Sequence, residues 1–166
     1  MIIIVSGLPR SGTSLMMQML EAGGMPILTD DKRPQDALNA RGYYEYEPVK
    51  RLARDVSWLD EAEGHAVKVV SPLLRHLPSS RQHQVLLLDR DLSDVAASQQ
   101  RMLSGKDGST YTGDSSSAEQ LRQHLADVTR WLKEQPNMTV LACPFGQIIT
   151  HPLQAAQRIQ AFLGRP

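Results

Sequence analysis

The feature that most restricts the fold stands near the start of the chain, where IIIVSGLPRSGTSLMMQML covers residues 2 to 20. Ile2 to Val5 form a β-branched-rich run without a polar residue, the pattern of a strand buried on both faces. Leu15, Met16, Met19 and Leu20 then recur at the spacing of one helical face. Between them lies the turn Gly7-Leu8-Pro9-Arg10-Ser11-Gly12-Thr13-Ser14. Its two glycines let the backbone bend tightly, so that successive N–H groups point inward at the opening of a helix whose dipole also favours an anion. Ser11, Thr13 and Ser14 add hydroxyl donors, and Arg10 supplies a planar, permanently charged fork. The turn departs from the nucleoside-triphosphate loop G-x-x-x-x-G-K-[ST] in one respect: Thr13 stands where the lysine belongs, and Arg10 is the nearest cation.

The rest of the chain continues the alternation. The apolar runs VKVV (67–70), VLLLD (85–89) and TVLAC (139–143) predict three more strands. Helices are predicted after Pro48, from Val49, Leu52, Ala53, Val56 and Leu59, and again from Leu92, Val95, Ala96, Met102 and Leu103. Two more follow from Leu121, Leu125, Val128 and Leu132, and from Leu153, Ala156, Ile159 and Leu163. A length of 166 residues suits one domain spanning 1–166. The expected architecture is α/β: a mostly parallel sheet of four to five strands, helices on both faces, and ligands at the carboxyl ends of the strands. Two stretches interrupt it. Residues 23–42 are polar and turn-rich, and SGKDGSTYTGDSSS (104–117) reads as a mobile loop, either a solvated linker or a lid over a ligand.

Charge confines the anion site to one place. Eighteen basic and eighteen acidic residues cancel, so the overall charge argues against nucleic acid or an anionic membrane as partner. The single cysteine, Cys143, excludes an internal disulfide and a multi-cysteine metal site, and the five histidines lack zinc-ligand spacing. The expectation is a cytoplasmic protein without a metal, since the run Ile2 to Val5 is far too short to span a bilayer.

At these residues the chain resembles a family. PRSGTS is similar to the 5′-phosphosulfate loop of sulfotransferases that use 3′-phosphoadenosine 5′-phosphosulfate (PAPS), in which a lysine or arginine occupies the position of Arg10 and the usual loop lysine is absent. RDLSDVAASQQ resembles the same family's 3′-phosphate element, with Arg90 after a strand and Ser98 eight residues later on a helix, about 12 Å apart. VKVVSPLLRHLP is similar to the K-T-H-L-P segment of cytosolic members; Lys68 falls on its lysine, whereas the catalytic histidine's position holds Val70. ITHPLQAAQRIQAFLG resembles the helix after the fourth core strand, and the glycine-rich basic 3′-phosphate loop of cytosolic members has no counterpart after it.

The resemblance implies a three-layer P-loop NTPase-like fold and transfer of a sulfuryl group from PAPS to a hydroxyl or amine, leaving 3′-phosphoadenosine 5′-phosphate (PAP). It implies that Gly7, Pro9, Arg10, Ser11, Gly12, Thr13 and Ser14 bind the 5′ end, that Arg90 and Ser98 hold the 3′-phosphate, and that Arg10 and Lys68 neutralise the charge that develops. Counted from the loop without gaps, Asp31 and Arg33 fall where tyrosylprotein sulfotransferases carry a catalytic glutamate and a substrate-site arginine, with Asp30, Glu45 and Glu47 as alternative bases. In GYYEYEPVK, Tyr44, Glu45 and Glu47 either line an acceptor pocket or serve packing and the start of a helix. No motif names the acceptor or the oligomeric state. Two other classes stay open: a P-loop kinase whose Asp89, at the end of VLLLD, would hold magnesium, and a non-catalytic P-loop module.

Overall fold

A computed structural model describes residues 1–30, 32, 42–104 and 118–164. Four strands, β1 (Ile2–Gly7), β2 (Ala66–Lys68), β3 (His83–Asp89) and β4 (Met138–Pro144), form one all-parallel sheet in the order β2-β1-β3-β4. The helices are α1 (Thr13–Ala22), α2 (Leu92–Ser104), α3 (Ala118–Lys133), α4 (Phe145–Thr150) and α5 (Pro152–Leu163).

The unbroken apolar run of β1 places it in the middle of this sheet, with every residue buried. Ile2 and Ile4 face one side with Val85 and Leu87, packed against Trp58, Leu59 and the Val128 and Leu132 stripe of α3. Ile3 and Val5 face the other with Leu86 and Leu88, under Met16, Met17 and Leu20 of α1 and Ile159 of α5. Burying each such side chain is worth about 1.5–3 kcal/mol, so neither face tolerates a one-residue slip that would reverse it. A third cluster joins Leu8 of the turn to Val95 of α2 and Leu121 of α3, which fixes the turn to both helices.

The expected four strands and two-sided helix cover are found. One expected helix is not. Instead of a continuous helix from Pro48 to Leu59, the chain makes two short 3-10 turns, Glu47–Arg51 and Ser57–Leu59. The carboxylate of Asp55 accepts both the N–H (3.0 Å) and the hydroxyl (2.7 Å) of Ser57, a local turn that competes with helix continuation. Val49, Leu52 and Leu59 are buried all the same. After β4, Pro152 lacks the N–H that would join α4 to α5, and His151 lies between the two helices as the cap of the second. Asp31, Arg33 and residues 105–117 lie outside the described residues; of the stretch 104–117 read as a loop or lid, only Ser104 is described, and it ends α2. No helix among the described residues is long and apolar enough to cross a membrane.

Candidate active site

The turn after β1 sits at the carboxyl ends of the strands, and its shape depends on both glycines. Gly7 has φ +156° and lies so close to β3 that a Cβ there would stand 2.9 Å from the carbonyl oxygen of Leu88 and on top of the Ser11 hydroxyl. Gly12, the residue before α1, has φ +101°; a Cβ there would stand 2.7 Å from Cε2 of Phe145 and closer still to Cδ2. Arg10 lies between them in the left-handed region at φ +74°, uncommon for a residue with a side chain. Ser11 donates its N–H to the Leu8 carbonyl at 3.0 Å, while its buried Oγ has no hydrogen-bond partner among the described residues. A buried hydroxyl left so costs about 1–3 kcal/mol, and a ligand oxygen would recover it.

Arg90 and Ser98 reach the turn from the neighbouring strand and helix. Nη1 of Arg90 donates to the main-chain carbonyl of Arg10 at 3.2 Å, supporting that left-handed residue. Its guanidinium lies over the Phe145 ring, 4.5 Å from the centroid, and its Nε is 3.8 Å from the Asp94 carboxylate. Ser98 is buried, and its Oγ accepts a hydrogen bond from Nε of Arg10 at 3.0 Å. The two residues expected to share one phosphate thus both meet Arg10, one at its backbone and one at its side chain.

Lys68, buried at the end of β2, approaches the turn from the other side. Its Nζ donates to the Tyr43 carbonyl, lies 3.5 Å from Ser14 Oγ and is 4.0 Å from Oε1 of Glu45. Ser14 in turn donates to the Tyr43 carbonyl at 3.3 Å, which binds the 43–45 segment to the turn. The candidate acids have different environments. Burial alone would raise the Asp30 pKa, yet the N–H groups of Glu47 (2.8 Å) and Lys32 (3.2 Å) and the Lys32 ammonium hold it below the usual carboxylate value. Asp30 is therefore occupied as a main-chain anchor. Glu47 pairs with Lys50 at 2.7 Å, and the Tyr44 hydroxyl donates to Glu21 of α1 at 2.5 Å. Of the described acids among these candidates, Glu45 is the one beside Lys68. Next to Val70, Ser71 meets Nε2 of His124 on α3 at 2.9 Å, a pairing with no motif in the sequence.

No protein-family model matches the chain, and no curated protein matches it in sequence. Two solved structures resemble it in shape. An unliganded sugar kinase from Janibacter sp. is 16% identical, with a TM-score of 0.50 over 98% of this chain and 93% of the kinase. The sulfotransferase domain from the curacin biosynthetic pathway is 15% identical, with a TM-score of 0.52 over 99% of this chain and 74% of that domain's chain. The fold is P-loop-like.

Within the P-loop fold, such low identities speak for the architecture alone, and the two neighbours, both transferases by description, carry different chemistry. The turn after β1 has no lysine of its own; it carries Arg10, and Arg90 and Lys68 approach it from neighbouring elements. Asp89, where the kinase fold would place a magnesium ligand, is exposed at the end of β3. Among the described residues no group of three or more His, Cys, Asp or Glu side chains is placed to hold a metal. Phe145 belongs to no motif in the sequence; its place directly after β4 puts it at the carboxyl edge of the sheet, where ligands of such folds bind.

Proposed function

We propose that the protein is a sulfotransferase that moves the sulfuryl group of PAPS to a hydroxyl or amine acceptor, with no metal. The observation that supports this reading best is the meeting of two arginines from separate strand ends, Arg10 and Arg90, at a P-loop without a lysine, beside the buried Ser11 hydroxyl, which has no partner among the described residues. An anion with charge at both ends suits two cations better than one. PAPS supplies a sulfuryl group activated by its bond to phosphate. The loop N–H groups and the hydroxyls of Ser11, Thr13 and Ser14 bind the 5′ end, Arg10 and Lys68 offset the charge that grows on the bridging oxygen, and Arg90 with Ser98 takes the 3′-phosphate. The acceptor oxygen or nitrogen forms a bond to sulfur as the bond between sulfur and the phosphate oxygen breaks, PAP leaves with that electron pair, and the acceptor's proton passes to a carboxylate. Glu45 suits this last role because Lys68 holds it beside the loop; Asp31 is the second assignment.

A kinase is the second reading, and exposed Asp89 at the end of β3 favours it. Calorimetric titration with PAP, and separately with ATP and magnesium at the same ionic strength, tests the choice. Micromolar PAP binding without magnesium, and no comparable ATP binding, is the expected result. Magnesium-dependent ATP binding with PAP silent would overturn it, and silence from both ligands would leave a non-catalytic module.

A further inference from the structure

The outer face of α5 is built unlike that of α3. α3 carries Glu119, Arg122, Asp127, Arg130 and Lys133, and ion pairs join Glu119 to Arg122 and Asp127 to Arg130. In α5 every residue is exposed except Ala155, Ile159, Phe162 and Leu163, yet the helix holds one charged side chain, Arg158, which is turned to Gln147 of α4 at 3.2 Å. Leu153 stands 80% exposed on it. A helix face this open and this free of charge is poorly matched to water and well matched to another protein surface. Beside it, between α5 and the end of α1 remote from the turn, lies an apolar groove of about 490 Å³. Met19, Leu20 and Met25 line one side and Ala156, Ile159 and Leu163 the other; Gln160 is the one polar side chain among the described residues lining it, and none is charged. The space at Gly24 is open, since a Cβ there would meet no atom within 4 Å.

We propose that two copies of the chain associate here, α5 against α5, antiparallel across a two-fold axis. The occupant follows from the spacing on the helix. Leu153, Ala156, Gln160 and Leu163 recur at intervals of three, four and three, and so share one helical face. That pattern reads the same in both directions. A second α5 turned end for end therefore places its Leu163 opposite Leu153 and its Gln160 opposite Ala156, and the symmetry repeats both pairings. The projecting Leu153 of each copy is carried to the Leu163 end of the other copy's groove, while the small Ala156 leaves room for the Gln160 amide. An apolar small molecule would fill the groove and leave Leu153 in water; a second copy covers both. The groove lies at the end of α1 away from the turn, so association leaves the candidate active site open whichever transfer that site performs.

Sedimentation equilibrium over about 1–100 µM tests the proposal, with a wild-type dimer of roughly micromolar or tighter dissociation constant as the expected result. Leu153→Glu should raise that constant by about a hundredfold or more, because the symmetry puts each substitution into the interface twice. Its circular dichroism should not change, since the side chain it replaces is exposed. A pair of double variants tests the antiparallel register. Ala156→Glu with Gln160→Lys sets opposite charges against each other across the axis and should keep the dimer within a few-fold; Ala156→Glu with Gln160→Glu sets like charges there and should dissociate it. Wild-type protein that stays monomeric at about 100 µM would overturn the proposal and leave the groove to an apolar small molecule. A dimer indifferent to Leu153→Glu, or two double variants that behave alike, would overturn it as well by placing the contact elsewhere or in another register.

Discussion

Gly12→Ala is the sharpest test of how the loop is built. Alanine at φ +101° carries left-handed strain of about 1–2 kcal/mol. Its Cβ would also press into the Phe145 ring, 2.7 Å from Cε2, and forcing a ring aside in packed surroundings costs about 1–3 kcal/mol more. The sum is about 2–5 kcal/mol. For a chain of 166 residues each kcal/mol moves the melting temperature by about 2–4 °C, so thermal unfolding without ligand should occur on the order of 10 °C lower. The two contributions separate in a double-mutant cycle. With Phe145→Ala in place the ring is gone, and Gly12→Ala should cost only the strain, about 1–2 kcal/mol. An equal cost of Gly12→Ala in both backgrounds would refute the claim that the Phe145 ring is what excludes a side chain at residue 12.

Two further expectations concern titratable groups. Replacing Glu45 by glutamine should lower kcat by about 10²–10³ while leaving PAP binding unchanged; transfer of that loss to Asp31→Asn instead would move the base to Asp31. Burial, with the nearby Arg81 guanidinium adding to it, holds the His83 pKa below its ordinary 6.5. Above pH 6.5 the ring is neutral folded and unfolded alike; below it the unfolded chain takes up a proton that the folded one refuses, so stability should fall as the pH drops from 6.5 toward the folded value. His124, lowered mainly by burial and then by Arg75, acts in the same direction. His83→Phe should flatten the dependence of melting temperature on pH in that window, and an unchanged slope would show that other groups set it.

Much of the fold was legible because burial on both faces leaves no choice of residue. IIIV, VLLL and the stripe of α3 could hardly be anything else, and the parallel order followed from strands separated by helical patterns. The stretch from Pro48 to Leu59 was misread because Val49, Leu52 and Leu59 do reach the core, as they would from a helix, while the Asp55–Ser57 turn that breaks the spiral is a local competition that periodicity does not register. In the site, the sequence pointed to Arg10, Lys68, Arg90 and Ser98 separately, each through the resemblance of the segment that carries it. That Ser98 meets Arg10, and that Asp30 is consumed by main-chain N–H groups whereas Glu45 meets Lys68, are matters of side-chain direction. Spacing along the chain carries no such information.

The central place of β1 has a consequence for synthesis. Its two neighbours begin near residues 66 and 83, so Ile2 to Val5 emerge from the ribosome about 60 residues before a flanking strand exists to pair with them. At about 5–20 residues per second that is a wait of roughly 3–12 s for a segment that is uncharged, proline-free and rich in β-branched residues, the composition most prone to pair with other chains. The nearest cover in sequence is α1, whose Met16, Met17 and Leu20 pack on Ile3 and Val5. On the nascent chain, then, the helix that opens the P-loop doubles as a temporary shield, and substitutions that weaken its methionine face should lower the yield of folded protein more than its equilibrium stability.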